Sequence, residues 1–208
     1  MAPINQPAEQ ECGELIDLCK KCFELNCVGS FYCDASRPNM HLTGYIYTYN
    51  EDEILIKHIS PDGYYDGFIL IHISDLIRVD ILGQYEKRIA ALFAIRKQSH
   101  PIINHLNDTL YISVMDFAHA NNLIVSVELE DSTISGFVLD FNECNIHMQV
   151  VNENGQTDGE MTILVENVLS FAVDTTTEQN LKLLNIAQGT ARGQEDGSLV
   201  PEMKDDSD

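Results

Sequence analysis

The 208-residue chain carries 33 Asp and Glu against 12 Lys and Arg, a formal net charge of -21 with His neutral. Binding a phosphate backbone relies on Lys and Arg displacing condensed counterions, and Lys182 is the sole Lys or Arg in residues 100–188, so nucleic acid and anionic membrane surfaces are disfavoured partners. No stretch approaches the roughly 20 apolar residues of a membrane span, and MAPINQPAEQECGELIDLC lacks the basic start and apolar run of a signal peptide, so the expectation is a soluble, cytoplasmic protein.

Cys12, Leu15, Ile16, Cys19, Cys22 and Phe23 recur at steps of three and four, the pattern of an amphipathic helix over 12–23 that turns Glu14, Asp17, Lys20 and Lys21 to solvent. Five strands are expected next, over 31–34, 42–49, 54–59, 68–73 and 76–82, with Arg37-Pro38-Asn39 and Ser60-Pro61-Asp62-Gly63 as turns. Ile89, Leu92, Phe93 and Arg96 share a helical face in 86–97, and His100-Pro101 ends that helix. Asn107 or Asp108 suits the N-cap of a helix over 109–120, with Leu110, Val114 and Phe117 on its apolar stripe. Strands over 123–130, 134–142, 146–152, 160–165 and 168–173 come after it, with Asn154-Gly155 at a hairpin tip. A closing helix carries Leu181, Leu184 and Ala187, and from Gly189 the chain is rich in Gly and acids and poor in apolar residues. Such a composition cannot bury enough surface to order itself, so 189–208 is expected to be a disordered acidic tail.

The second round of elements copies the first. Setting Gly44 against Gly136 aligns 44–82 with 136–174, 92 positions on, without a gap. Gly44, Asn50, Glu51, Ile54, Gly63, Asp66, Gly67 and Ile71 are identical to their counterparts, and most other pairs keep apolar character, as Tyr45 does with Phe137 and Ile73 with Val165. A fixed period of this kind means one supersecondary unit used twice. The expected organisation is a first unit over 8–99, a second over 100–188 and the tail.

A helix followed by five strands, with an apolar-acidic strand, a short polar turn and then Gly opening a long strand, resembles the Sm and Sm-like (LSm/Hfq-type) family of small SH3-like barrels. The segment that carries the resemblance is VSVELEDSTISGFVLDFNECNIHM over 125–148. Gly136 would lack a Cβ where a strongly bent strand crosses close to its neighbour. The resemblance implies a mainly β fold with added helices: two tandem five-stranded barrels, each with an N-terminal and a C-terminal helix. RNA-binding members of the family carry an acid and an Asn in the loop after strand two and an Arg-Gly or Lys-Gly pair between strands four and five. Asn145 takes the Asn position in the second unit, Asn142 stands where the acid belongs, and Glu53 replaces Asn145 in the first unit. His72-Ile73 and Leu164-Val165 fill the Arg-Gly position, so the cation and the flexible Gly are both missing.

Cys12, Cys19, Cys22, Cys27 and Cys33 crowd the N-terminal region, and Cys19-Lys-Lys-Cys22 has the spacing of half a zinc site or a redox pair. A second CxxC is missing, the repeated helix has no Cys, and Cys on an apolar helix face serves as a small hydrophobe. Packing is therefore favoured, with Cys19, Cys22, Cys27 and Cys33 as the ligands of the metal alternative, and no cofactor is expected. The histidines at 41, 58, 72, 100, 105, 119 and 147 are scattered, and no Ser or Cys sits in a nucleophile setting. The acid run Glu51-Asp52-Glu53 lacks the ligand alternation and Gly of a calcium loop. No catalytic residue is expected.

The leading functional expectation is a non-catalytic interaction or assembly module. Its strand edges, marked by Ile69, Ile71 and Ile73 and by Met161, Ile163 and Val165, would carry self-association, either as a homo-oligomer or as a pairing of the two units within one chain. A basic protein partner would suit the charge. The alternatives are an RNA-binding regulator using Asn145 with Lys57, Arg78, Lys87, Arg88, Arg96 and Lys97, which the charge disfavours, and a metal or thiol sensor using the cysteines. Low Arg, absent Trp and abundant Ile and Asn fit a bacterium of low genomic GC.

Overall fold

The computed structural model describes residues 8–195 apart from Pro38, His105 and Asp108. The first round comprises α1 (Ala8–Glu24), β1 (Gly29–Tyr32), β2 (Leu42–Tyr49), β3 (Glu53–Ile59), β4 (Tyr65–His72), β5 (Arg78–Ile81) and α2 (Gln84–Ile95). The second comprises α3 (Leu110–Ala120), β6 (Ile124–Glu128), β7 (Thr133–Phe141), β8 (Asn145–Val151), β9 (Thr157–Leu164), β10 (Ser170–Val173) and α4 (Thr176–Glu195).

The strands form one open antiparallel sheet in the order β5-β1-β2-β3-β4-β10-β6-β7-β8-β9, so the two closed barrels expected from the sequence are not formed. Within each round the fifth strand does pair with the first, β5 with β1 and β10 with β6. The fourth strand does not return to it. β4 pairs with β10 instead, Ile71 opposite Ser170 and Phe68 opposite Val173. A strand has one outer row of N–H and C=O groups, so an edge occupied by β10 is closed to β5. The described residues form a mixed α/β fold with four helices on a continuous ten-stranded sheet, where a mainly β pair of barrels was expected.

Backbone detail repeats with the sequence. Register shifts fall between Ile46 and Thr48 in β2 and between Val138 and Asp140 in β7, 92 positions apart. At Gly44 and Gly136 an added Cβ would run into the carbonyl oxygens of Lys57 and Gln149, which explains why both long strands carry Gly there.

Three further expectations are corrected. Ile73 and Val165 leave their strands for short 3₁₀ turns, Ile73–Asp75 and Val165–Asn167, because Leu76 N–H and Val168 N–H bond back to them. The first helix starts at Ala8, earlier than the expected 12. Helix α4 runs to Glu195, so 189–195, assigned to the tail, are helical, and 196–208 lie outside the described residues. His105 and the N-cap candidate Asp108 also lie outside them; the cap of α3 is Thr109.

The largest core cluster ignores the boundary between the two rounds. Leu55, Phe68 and Leu70 from β3 and β4 pack with Tyr111, Met115, Val127, Ile146 and Phe171 beneath α3. A second cluster joins Cys19, Cys22, Phe31, Ile54, Ile56, Ile69 and Ile71 beneath α1.

Candidate functional site

The distinctive constructions of this molecule are at strand edges: one occupied edge at the β4–β10 seam, and two at the sheet ends that have no partner among the described strands. At the seam, β4 presents Phe68 and Leu70 to the α3 core and Ile69 and Ile71 to the α1 core, all buried. Side chains lock the junction from both sides. Tyr65 donates its hydroxyl to Asp174 Oδ2 at 2.5 Å, and Asp66 Oδ1 accepts from Thr176 N–H at 2.7 Å and Thr176 Oγ1 at 2.8 Å, capping α4. His58 Nδ1 stands 3.1 Å from Asp66 Oδ2. Burial alone would raise the Asp66 pKa, but the bonds from His58 and Thr176 outweigh it and hold the carboxyl below its usual range. Farther along, Glu53 Oε2 accepts from Leu110 N–H at 3.0 Å, and Tyr47 OH meets both the N–H and the carbonyl of Ile103.

The two ends of the sheet, β5 and β9, each pair with one neighbour among the described strands. Exposed apolar side chains accompany both, Ile77 and Leu82 beside β5, Met161 and Leu164 on β9. Of the expected edge residues, Ile69 and Ile71 are consumed by the seam, Ile73 and Val165 are in 3₁₀ turns, and Met161 and Ile163 lie on the free edge. Across β9, His147 holds Thr162 Oγ1 at 3.0 Å and Glu160 Oε2 at 3.1 Å, so this strand is more polar than β4. The seam carboxylate Asp66 and its counterpart Asp158 escaped the sequence reading as functional groups. Their identity in the repeat is the signal the sequence offers, and Asp before Gly is also ordinary turn chemistry.

The cysteines divide by burial. Cys19 and Cys22 are in the α1 core, where burial raises both thiols, Cys19 to about 11. Cys22 Sγ donates to the Cys27 carbonyl at 3.2 Å and lies 3.8 Å from Cys27 Sγ. Two adjacent sulfurs do not make a four-ligand zinc site, and no group of three or more His, Cys, Asp and Glu side chains converges among the described residues. Cys33 is apart from these, lining an open cavity of about 840 Å³ along the seam with Phe31, Ile69, Ala172, Asp75 and Glu128. Burial, aided by Asp75 and Glu128, pushes this thiol up to about 12, which favours the neutral thiol over the reactive thiolate.

Asn145 is half-buried at the start of β8, its N–H and side chain bonded to Asn142 and its carbonyl accepting from Tyr111 OH. Glu53, its counterpart, turns inward to cap α3, so the acid run 51–53 is not a convergent carboxylate site. Four of the six basic residues proposed for RNA are engaged: Lys57 over Tyr47, Arg88 over Tyr85, Arg96 over Tyr64, and Arg78 over Tyr32 and paired with Asp80. No described helix is long and apolar enough to cross a membrane. Compared with models of known protein families, with curated proteins and with solved structures, the chain matches none of them.

Proposed function

We propose that this protein is a non-catalytic assembly module that associates with itself through the strand edges at the two ends of its sheet. The observation that carries the reading is the seam. One unit already receives the fifth strand of the other at the edge of its fourth, and the corresponding edges, on β9 and β5, have no partner among the described strands. Exposed backbone donors and acceptors at such an edge are satisfied by another strand, which is how edge pairing gives affinity.

The strength of the contact follows from the repeat. Where β4 places Phe68 and Leu70, β9 places Glu160 and Thr162. Burying each such apolar side chain contributes about 1.5–3 kcal/mol, so end-to-end pairing is weaker than the seam by roughly 3–6 kcal/mol. Association is therefore reversible and set by protein concentration, and the polar β9 restrains runaway edge pairing.

Sedimentation velocity of the untagged chain across a concentration series tests the reading. A mass that rises reversibly with concentration, and falls back to the monomer in Ile163→Pro with unchanged circular dichroism, is the expected result. A chain that stays monomeric at every concentration ends the proposal.

A further inference from the structure

We infer that copies of this chain join head to tail, β9 of one on β5 of the next in the register that β4 and β10 already use, with Asp158 of the first copy capping helix α2 of the second. This inference rests on the assembly reading above and adds its polarity, register and a residue donated in trans.

The internal seam supplies the template. Its pairs are Ile71 with Ser170, Leu70 with Phe171, Ile69 with Ala172 and Phe68 with Val173. Moving each strand by the 92-residue period of the repeat gives Ile163 with Arg78, Thr162 with Val79, Met161 with Asp80 and Glu160 with Ile81. The acids Glu160 and Asp80 then fall on opposite faces, and no two like charges stand directly across from each other.

Gly159 shows room for the incoming strand. At Gly67, with φ +73°, an added Cβ would strike Val173, Asp174 and Thr175 of the strand docked there. Gly159 repeats the conformation at φ +79° but has nothing within 4 Å of that position. The same period converts 173–175 into 81–83, so in that register the turn from β5 into α2 would stand beside Gly159.

The helix cap is divided in the same way. Helix α4 begins with Thr176 N–H on Asp66 and with Glu178 bonded back to Thr175. Helix α2 begins after Gly83, which makes no side-chain cap, and the Gln84 N–H has no acceptor among the described residues. Gln84 is the counterpart of Thr176, and Asp158 is the counterpart of Asp66. Asp158 is exposed, and no hydrogen bond or ion pair to its side chain is present among the described residues. The unfinished cap and the unused carboxylate are at opposite ends of the molecule, so only a second copy brings them together.

Two measurements on the full chain test this. In sedimentation, Asp158→Ala is expected to raise the apparent dissociation constant about five-fold, the effect of losing one N-cap, while Asp158→Asn, which keeps an acceptor oxygen, stays near wild type. Equal association of wild type and Asp158→Ala rejects the cap. Polarity is read in a Cys144→Ser background, by mixing Met161→Cys with Asp80→Cys under mild oxidation. Residues facing across an antiparallel pair are spaced for a disulfide, so the mixture is expected to cross-link and neither variant alone. A dimer of Met161→Cys by itself means β9 pairs with β9, which overturns the head-to-tail inference while leaving self-association intact; absence of any oligomer overturns the assembly reading itself.

Discussion

His100, in the segment that joins the two rounds, is held against the first of them. Its ring stacks on Phe93, with Tyr65 and Phe68 edge-on, and its Nε2–H donates to the His58 carbonyl at 2.8 Å. Burial dominates this environment and, despite the hydrogen bond, pushes its pKa down to about 4 from the ordinary 6.5. An unfolded chain therefore takes up the proton first as pH falls. Stability from this residue is intact above about pH 6.5 and declines toward about pH 4, by on the order of 2 kcal/mol after allowance for its residual solvent contact. Urea unfolding at pH 7 and pH 4.5 should lose less stability in His100→Gln than in wild type. Equal losses would show that the imidazole is not responsible. The position of His100 beside Pro101 reads in the sequence only as a helix end, because two of the three rings around it, Tyr65 and Phe68, come from β4, more than 30 residues earlier.

At the scale of elements, the repeat separates what the fold requires from what one copy does alone. Glycines at 44 and 136, legible as a shared pattern of the repeat, and register shifts at matching positions, which only the structure shows, appear in both rounds. Glu53 and Asn145 occupy equivalent positions with different duties. Glu53 is buried and caps α3 across the seam, while Asn145 is tied into its own hairpin loop. Glu53→Ala leaves the Leu110 N–H buried without its acceptor, and should cost about 2 kcal/mol in denaturant unfolding. Asn145→Ala should cost under about 1 kcal/mol, since its partners remain near solvent. Reversed magnitudes would mean that the seam cap contributes little. Nothing in the acid run 51–53 distinguishes the inward Glu from its solvated neighbours, because the helix it caps begins 57 residues later.

The whole molecule is bound by a core that mixes both rounds. Leu55, Phe68 and Leu70 contribute to the cluster under α3, so neither half retains a complete core when the other unfolds. Scanning calorimetry should record one cooperative transition, with the calorimetric and van't Hoff enthalpies equal. Two resolved transitions would show that the halves unfold independently and that the seam is weaker than its burial implies.

The sequence by itself determined the repeat, the order of helices and strands, and the glycines that let long strands bend, because side-chain periodicity and backbone sterics act over a few residues. It also held one muted sign of asymmetry: the apolar run 68–71 in one round against Glu160-Met161-Thr162-Ile163 in the other. Only the tertiary structure decided where the fourth strand goes. Backbone donors and acceptors are the same at every residue, so the sequence of an edge does not name its partner, and closure on β5 and pairing with β10 satisfy the same hydrogen bonds. What selected β10 is the apolar surface that the seam buries on both faces, at Phe68 and Leu70 under α3 and at Ile69 and Ile71 under α1.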